Sequence, residues 1–395
     1  MKSAFAVLFL LAVGIFAASD LEADSVLGAG HFGIPVQPAD ARSRALGGAS
    51  AALPGEDFSF TNTARTVNFR RSGFNGLISQ NYRTLKGASS TDRLRSTEFQ
   101  SFRAVFPSIK RFVFSWGIFQ CRDLDWKMGD RIVVPVLNDE LERSYSSDGG
   151  MFVSRIGIAR TVAPHLALGL GLDWMLGRTR QWRKLDFSND DLLDSAEQYK
   201  YSYSCFRPSF SVLTGYSKFS VGFSLTVPGT SNIDKTSIYT SGFNEKETMQ
   251  LDLPFSWRLG TAVSITRRSL LAVDLECEGW GSRDFRLDPL YEHTDQWRFC
   301  LGYEILPATG EQRPFYRRVP LRMGYSRTTY PFKIAGQRVG EQFITFGTGM
   351  YFGGGNGLVD IAVEIGRRKA YAEGLPEESL VRFTVSMSAF EKWLP

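Results

Sequence analysis

The sequence predicts an all-β chain that closes into a transmembrane antiparallel β-barrel of about 14 strands, with an N-terminal plug, or hatch, segment ahead of it. Three observations predict this. An apolar leader would carry the chain out of the cytoplasm, side chains alternate with period two over most of the remaining length, and tight turns alternate with long connections.

Residues 1–19 read as a signal peptide. Lys2 supplies the positive start, Ala4 to Phe16 form an unbroken apolar run, and Ala17-Ala18-Ser19 offer small residues for cleavage before Asp20. The run falls short of the ~18–20 apolar residues that a spanning helix needs, and no Cys follows it to carry a lipid anchor. No later stretch reaches helical spanning length either.

Residues 20–66 lack alternation and are rich in Gly, Ala, Pro and Asp, which fits either a flexible exported N-terminus or a compact plug. A barrel of about 14 strands lies between the side-chain-filled eight-stranded kind and the open sixteen-stranded kind, so its lumen calls for a filling. Gly47 and Gly48 permit the close turns that a packed plug requires.

Residues 67–395 carry the barrel. Leu166, Leu168, Leu170, Leu172, Trp174 and Leu176 share one face while Ala167, Gly169, Gly171 and Asp173 share the other. Phe219 to Val227 and Phe112, Phe114, Trp116 and Ile118 repeat the pattern. Such segments fall near 70–83, 96–106, 112–127, 149–162, 165–182, 199–214, 219–228, 247–264, 269–281, 295–306, 319–330, 341–352, 358–367 and 378–393. Each has at least the ~9–11 residues that cross a bilayer at a tilt. Short turns at Pro107–Arg111, Ala163–Pro164, Gly215–Lys218, Thr266–Arg268 and Gly353–Gly357 alternate with long polar connections at 84–95, 128–148, 183–198, 229–246, 282–294, 331–340 and 368–377. The exception is the stretch after Leu306, long where a short turn is due. Long loops outside and tight turns in the periplasm describe an outer-membrane barrel.

A secreted β-sandwich or propeller also has alternating strands but no such loop rhythm. Nor would it set Asp274, Glu276, Glu278, Arg298, Glu304, Glu364 and Arg382 opposite continuous apolar faces. In a barrel these seven charges face the lumen, and Trp116, Trp174, Trp257, Trp297 and Trp393 sit at the lipid interfaces. Cys277 and Cys300 lie on opposite faces of neighbouring strands, so free thiols are expected.

In the sixth strand the alternation changes phase: Tyr201, Tyr203 and Cys205 are odd, Phe210 and Val212 even, with Arg207-Pro208 at the change. A bulge there is expected, either an ordinary barrel bulge or a side exit from the lumen.

An enzyme is not expected. His31, His165 and His293 lie far apart, and no motif suggests a catalytic triad, a metal site or a cofactor. The glycines of GAGHFG spell a dinucleotide fingerprint, but no strand precedes them. The 46 basic and 41 acidic residues, net +5, are too mixed for nucleic-acid binding.

ADARSRALGGASAAL followed by SFTNTA resembles the N-terminal box of the long-chain fatty acid transporter (FadL-type) outer-membrane family. There an A-R-x-x-x-[LM]-G-G-A stretch precedes an Asn-Pro-Ala turn. Ala41, Arg42, Gly47 and Gly48 match the first element; Asn62, Thr63 and Ala64 match the second, with Thr63 in place of Pro. The resemblance implies passive uptake of hydrophobic molecules such as long-chain fatty acids, a plug-gated lumen and a lateral exit. In that family the wall gap arises at the third strand, whose counterpart FVFSWGIF shows no break in alternation. Such a protein would meet outer-membrane lipid, lipopolysaccharide, a hydrophobic small-molecule ligand and the barrel-assembly machinery. A different class of function stays open: some FadL-like barrels are shuttles or scaffolds that bind exported proteins, as in type IX secretion.

Overall fold

A computed structural model describes residues 25–29, 32–87, 91–108, 112–134, 139–189, 193–216, 218–282, 292–307, 315–334, 336–370 and 377–391. The signal peptide, His31 and Trp393 lie outside these residues.

Fourteen antiparallel strands form the wall: β1 (Ser72–Lys86), β2 (Thr91–Pro107), β3 (Phe112–Asp123, continued by Trp126–Val134), β4 (Asp139–Ala163), β5 (Leu166–Phe187), β6 (Ser195–Tyr216), β7 (Phe219–Thr226 and Gly229–Tyr239), β8 (Asn244–Leu253 and Ser256–Ser264), β9 (Ser269–Glu278), β10 (Gln296–Ile305), β11 (Leu321–Ile334), β12 (Gln337–Phe352), β13 (Gly357–Ala370) and β14 (Glu377–Glu391). Each pairs with the next, and β14 returns to β1 from Glu377↔Lys86 to Glu391↔Ser72, so the sheet closes on itself. All 14 segments of the alternating pattern are strands. Outward positions are apolar, as lipid requires: Trp116, Leu170, Trp174, Phe210 and Phe299 are exposed on the outer face.

Five of the expected long loops, 84–95, 128–148, 183–198, 229–246 and 331–340, are instead mostly strand. β4 runs for 25 residues and β5 and β6 for 22 each, whereas β9 and β10 have only 10. At ~3.3 Å per residue the long strands stand well clear of a ~30 Å apolar layer. Out there the outer face meets water, so no apolar lipid-facing side marks the strand in the sequence.

The phase change expected in β6 is not there. Its ladder with β5 runs from Leu166↔Thr214 to Leu185↔Ser195 without a register shift, through Asp173↔Arg207 and Leu172↔Pro208. Tyr203, Cys205, Ser209 and Ser211 all point inward and are buried, while Ser204, Phe206, Pro208 and Phe210 face outward. What changes along the strand is what the lumen holds, not the direction of the side chains. The irregularity beside Arg207 lies in β7, whose two parts flank Val227-Pro228.

A true slip lies in β3, where none was expected. Register shifts between Gln120 and Arg122 opposite β4, so Val113, Ser115 and Phe119 are buried on one side of it and Arg122, Leu124 and Trp126 on the other. An unbroken phase would have turned the Arg122 guanidinium into lipid, which is costly. Two residues on, Asp123 Oδ1 accepts from Asp125 N (3.1 Å), Asp125 Oδ1 accepts from Gly149 N, and the strand is interrupted at Leu124-Asp125. β2 pairs with β3 only from Pro107↔Val113 to Ser101↔Phe119; beyond that, β2 is bonded to β1 and Trp126–Val134 to β4. Among the described residues, a seam therefore separates β2 from β3 in the half nearer the long connections.

Candidate functional site

The lumen has two chemically distinct parts, and residues 25–69 touch both. In the polar part, Asp40 caps the helix Ala41–Ala45, its Oδ1 accepting from Ser43 N at 2.9 Å. Leu46, Gly47 and Gly48 turn the chain back on the helix end, Gly47 and Gly48 at φ 65° and 91°. At Gly47 the backbone lies against the wall so closely that a Cβ would come within 2.4 Å of the Tyr325 carbonyl, and one on Gly324 within 2.2 Å of Gly47 N. Only glycine on both sides allows that approach.

The helix arginines reach the wall. Arg42 Nη2 donates to Glu304 Oε2 (2.7 Å), and Arg322 donates to the other oxygen of Glu304 (2.8 Å) and to Asp360. Arg44 donates to Glu364 (3.1 Å), which also pairs with Arg382 (3.4 Å). Asp274 Oδ2 accepts from Ser50 N and Ala51 N, both at 2.8 Å. Arg258 donates to Ser50 Oγ (3.0 Å) and to Glu276, whose second partner is Arg298 at 3.3 Å. Six of the seven charges singled out in the sequence thus lie in this network; Glu278, paired with Arg122 at 3.2 Å, belongs to the other part.

Within the segment, burial and the nearby Asp57 carboxylate push the Asp40 carboxyl above its usual range. Burial acts the same way on Asp57, but Arg65 and Arg42 outweigh it and hold Asp57 low. Asn62 caps the helical turn Thr63–Asn68: its Oδ1 accepts from Ala64 N (3.0 Å) and its Nδ2 donates to Ala51 O (2.9 Å) and to Val212 O on β6 (3.0 Å). The turn therefore forms with Thr63 where the family pattern has proline.

The apolar part lies beside the seam. Phe32, Leu124, Met151, Met175, Tyr203, Cys205, Ile233, Leu251, Leu253 and Trp280 form one buried cluster on the inner face of β3–β8 and just beyond β9. Ile34-Pro35 pairs with Arg122 and Asp123, and Val36 N donates to Cys121 O (2.9 Å), so the segment takes the β3 edge that β2 leaves. Composition missed this part because its residues sit on inward positions, which the barrel pattern reserves for polar groups. The signal was present in the tyrosines of β6 and in Arg122. All four cysteines are free thiols.

A closed 14-stranded barrel with lipid-facing aromatics and inward ion pairs is an outer-membrane β-barrel of the FadL type. The chain belongs to the BamG family, whose family model matches residues 1–395. Its fold is similar to the toluene transporter TbuX of Ralstonia pickettii (TM-score 0.64, 12% identity, 90% of this chain and 98% of that one). It is also similar to the toluene transporter TodX of P. putida (0.63, 14%, 91% and 100%) and to a Pseudomonas aeruginosa FadL homologue (0.63, 12%, 92% and 100%). At such identity the likeness concerns the fold. Among curated proteins, none matches the sequence.

Proposed function

We propose that this barrel conducts hydrophobic molecules, long-chain fatty acids among them, from the outer hairpins through the apolar cluster to the β2–β3 seam. There they leave sideways into the membrane. Residues 25–69 act as the plug that keeps the polar part closed to ions. The observation that carries this reading is the continuity of the buried apolar cluster with Leu124 at the strand break. A water-filled channel has no use for apolar residues at inward positions, whereas an apolar solute gains free energy from each such contact. The structural neighbours named above as toluene transporters agree with an apolar cargo.

The test is uptake by liposomes carrying the purified barrel. Leu124→Arg sets a cation in the path next to the seam and should slow entry of a fluorescent dodecanoate about tenfold or more, because unpaired charge in an apolar passage is costly. Undiminished uptake by a correctly folded variant would sink the path.

Membership of the BamG family favours a second reading, since the family name points to barrel assembly: a scaffold that works alongside the assembly machinery. On that reading, depleting the protein lowers the amounts of other folded outer-membrane barrels, and Leu124→Arg restores them as well as the parent does.

A further inference from the structure

On the outer wall, away from the lumen, β5 and β6 change character abruptly. The outward positions of β5 run through Leu170, Leu172 and Trp174 and then reach Arg178 and Arg180, all of them exposed. Those of β6 run through Phe210 and Phe206 and then reach Lys200, also exposed. Trp174 lies opposite Phe206, and the two rings stack with centroids 5.6 Å apart. Further out, Arg180 lies directly opposite Lys200, with Arg178 two residues before it on the same face. From Trp174 to Arg178 is ~13 Å of strand, so the three cations stand just beyond the aromatic edge of the apolar band.

Among the described residues, Arg178, Arg180 and Lys200 make no ion pair. Two aspartates flank them. Asp148 of β4 lies across from Arg180, and Asp234 of β7 lies across from Ser202 and accepts from Thr248 Oγ1 at 3.0 Å. The centre of the group stays positive. Like charges directly opposite on one sheet face repel, and an anion lodged between them reverses the sign of that term. Guanidinium forks suit phosphate oxygens above all. On β11 and β13 the arrangement differs: Arg327 stands outward between Phe299 and Gln342, and Arg367 pairs with Glu377 at 3.6 Å.

Depth and charge together select the occupant. Exposed rings inside the apolar band can face only acyl chains, and cations just above it meet the head-group layer. On the side of the long hairpins that layer belongs to lipopolysaccharide, whose anchor sugars carry phosphate. We infer that Arg178, Arg180 and Lys200 form a binding site for the phosphorylated sugar head of one lipopolysaccharide molecule, with its acyl chains against Trp174 and Phe206. The site shares no residue with the proposed path and stands apart from the conduction reading.

The experiment is titration of the purified barrel, in a neutral detergent, with lipid A and with the same lipid A freed of its phosphates, bound lipid being counted by native mass spectrometry. Lipid A should bind about tenfold or more tightly than its phosphate-free form, the worth of a charge-assisted hydrogen bond. Arg180→Gln combined with Lys200→Gln should abolish that difference and leave the phosphate-free form unchanged. Arg327→Gln, which removes an outward cation elsewhere, should behave as the parent does. Equal binding of the two lipids by the parent overturns the site. A loss of preference in Arg327→Gln as large as in the double variant also overturns it, because the preference then follows from overall charge. Displacement of lipid A by inorganic phosphate at a matched phosphate concentration overturns the lipid as occupant and leaves a free-anion site. If the double variant does not assemble, the parent decides alone. Salt at about 0.5 M must then weaken lipid A more than its phosphate-free form, since screening acts on the charged head; an equal loss for both overturns the site.

Discussion

Around Arg42 the lumen is held by charge, and around Ile233 by apolar contact. In the first region Arg42 and Arg322 share Glu304, Arg44 and Arg382 share Glu364, and two backbone amides share Asp274. Each of these three carboxylates has two donors, each pair has one geometry, and the loss of a partner leaves a buried charge. In the second region Ile233, Tyr203, Met175 and Leu253 meet without directed bonds. Such contacts are non-directional, so a guest of similar polarity can replace them at little cost. The difference teaches where each task can reside. A seal against ions needs the specific, paired region; a passage for apolar molecules needs the adaptable one, and the seam opens beside the latter.

Glu304→Ala tests the contrast most severely. It strips Arg42 and Arg322 of a shared partner at a residue 1% exposed, and breaking buried pairs typically costs about 3–5 kcal/mol. The closed wall should still form, visible as faster migration of the unheated protein on SDS gels. Ion conductance in planar bilayers should rise as the N-terminal segment loses its hold. Parent-like conductance would mean that the charged region does not seal the pore.

Ile233→Ala probes the other side. Removing buried methyl groups should cost about 2–4 kcal/mol locally, seen as faster hydrogen exchange in the outer halves of β6–β8. Conductance should stay at the parent's level. A leak of ions as large as that of Glu304→Ala would erase the distinction between the regions.

The sequence disclosed the strands far better than it disclosed this division. Inside the bilayer the outward positions must be apolar, so Leu166 to Leu176 or Phe219 to Val227 could only be strands. Beyond the bilayer that constraint lapses, and Met128 to Val133 or Lys235 to Tyr239 looked like loop although they pair residue by residue. The Arg42 box was readable because its resemblance is local, whereas the carboxylates it meets are more than 250 residues away in the chain. The two phase readings failed for one reason. Alternation shows whether neighbours share a face, but which face is inner depends on depth and on what fills the lumen. In β6 the outward face turns polar at Ser202 and Ser204 and the inner face apolar at Tyr203 and Cys205, which imitates a slip. In β3 a real slip hides behind Cys121, and only the sign of Arg122 gives it away.

The smallest effect expected is a gain. Thr63 occupies the first position of the turn Thr63–Asn68, behind the capping residue Asn62. An N–H at that position has no acceptor within its own helix, and the backbone there takes the φ that a proline ring imposes. Asn62 is extended (φ −139°, ψ 106°), the conformation that a residue before proline prefers. Thr63→Pro should therefore stabilise the docked segment by about 0.4–1 kcal/mol, chiefly by restricting the undocked chain. Against that stands the Thr63 side chain, packed so near the wall that a Cβ on Gly157 would lie 2.7 Å from its Cγ2. The ring has to fit the same slot. Slower exchange of the amides at 64–69 in Thr63→Pro than in the parent would show that the turn is anchored by Asn62 and pre-set by backbone geometry. Faster exchange would show that the slot next to Gly157 is shaped for threonine, and that the polar region is held there by packing as well as by charge.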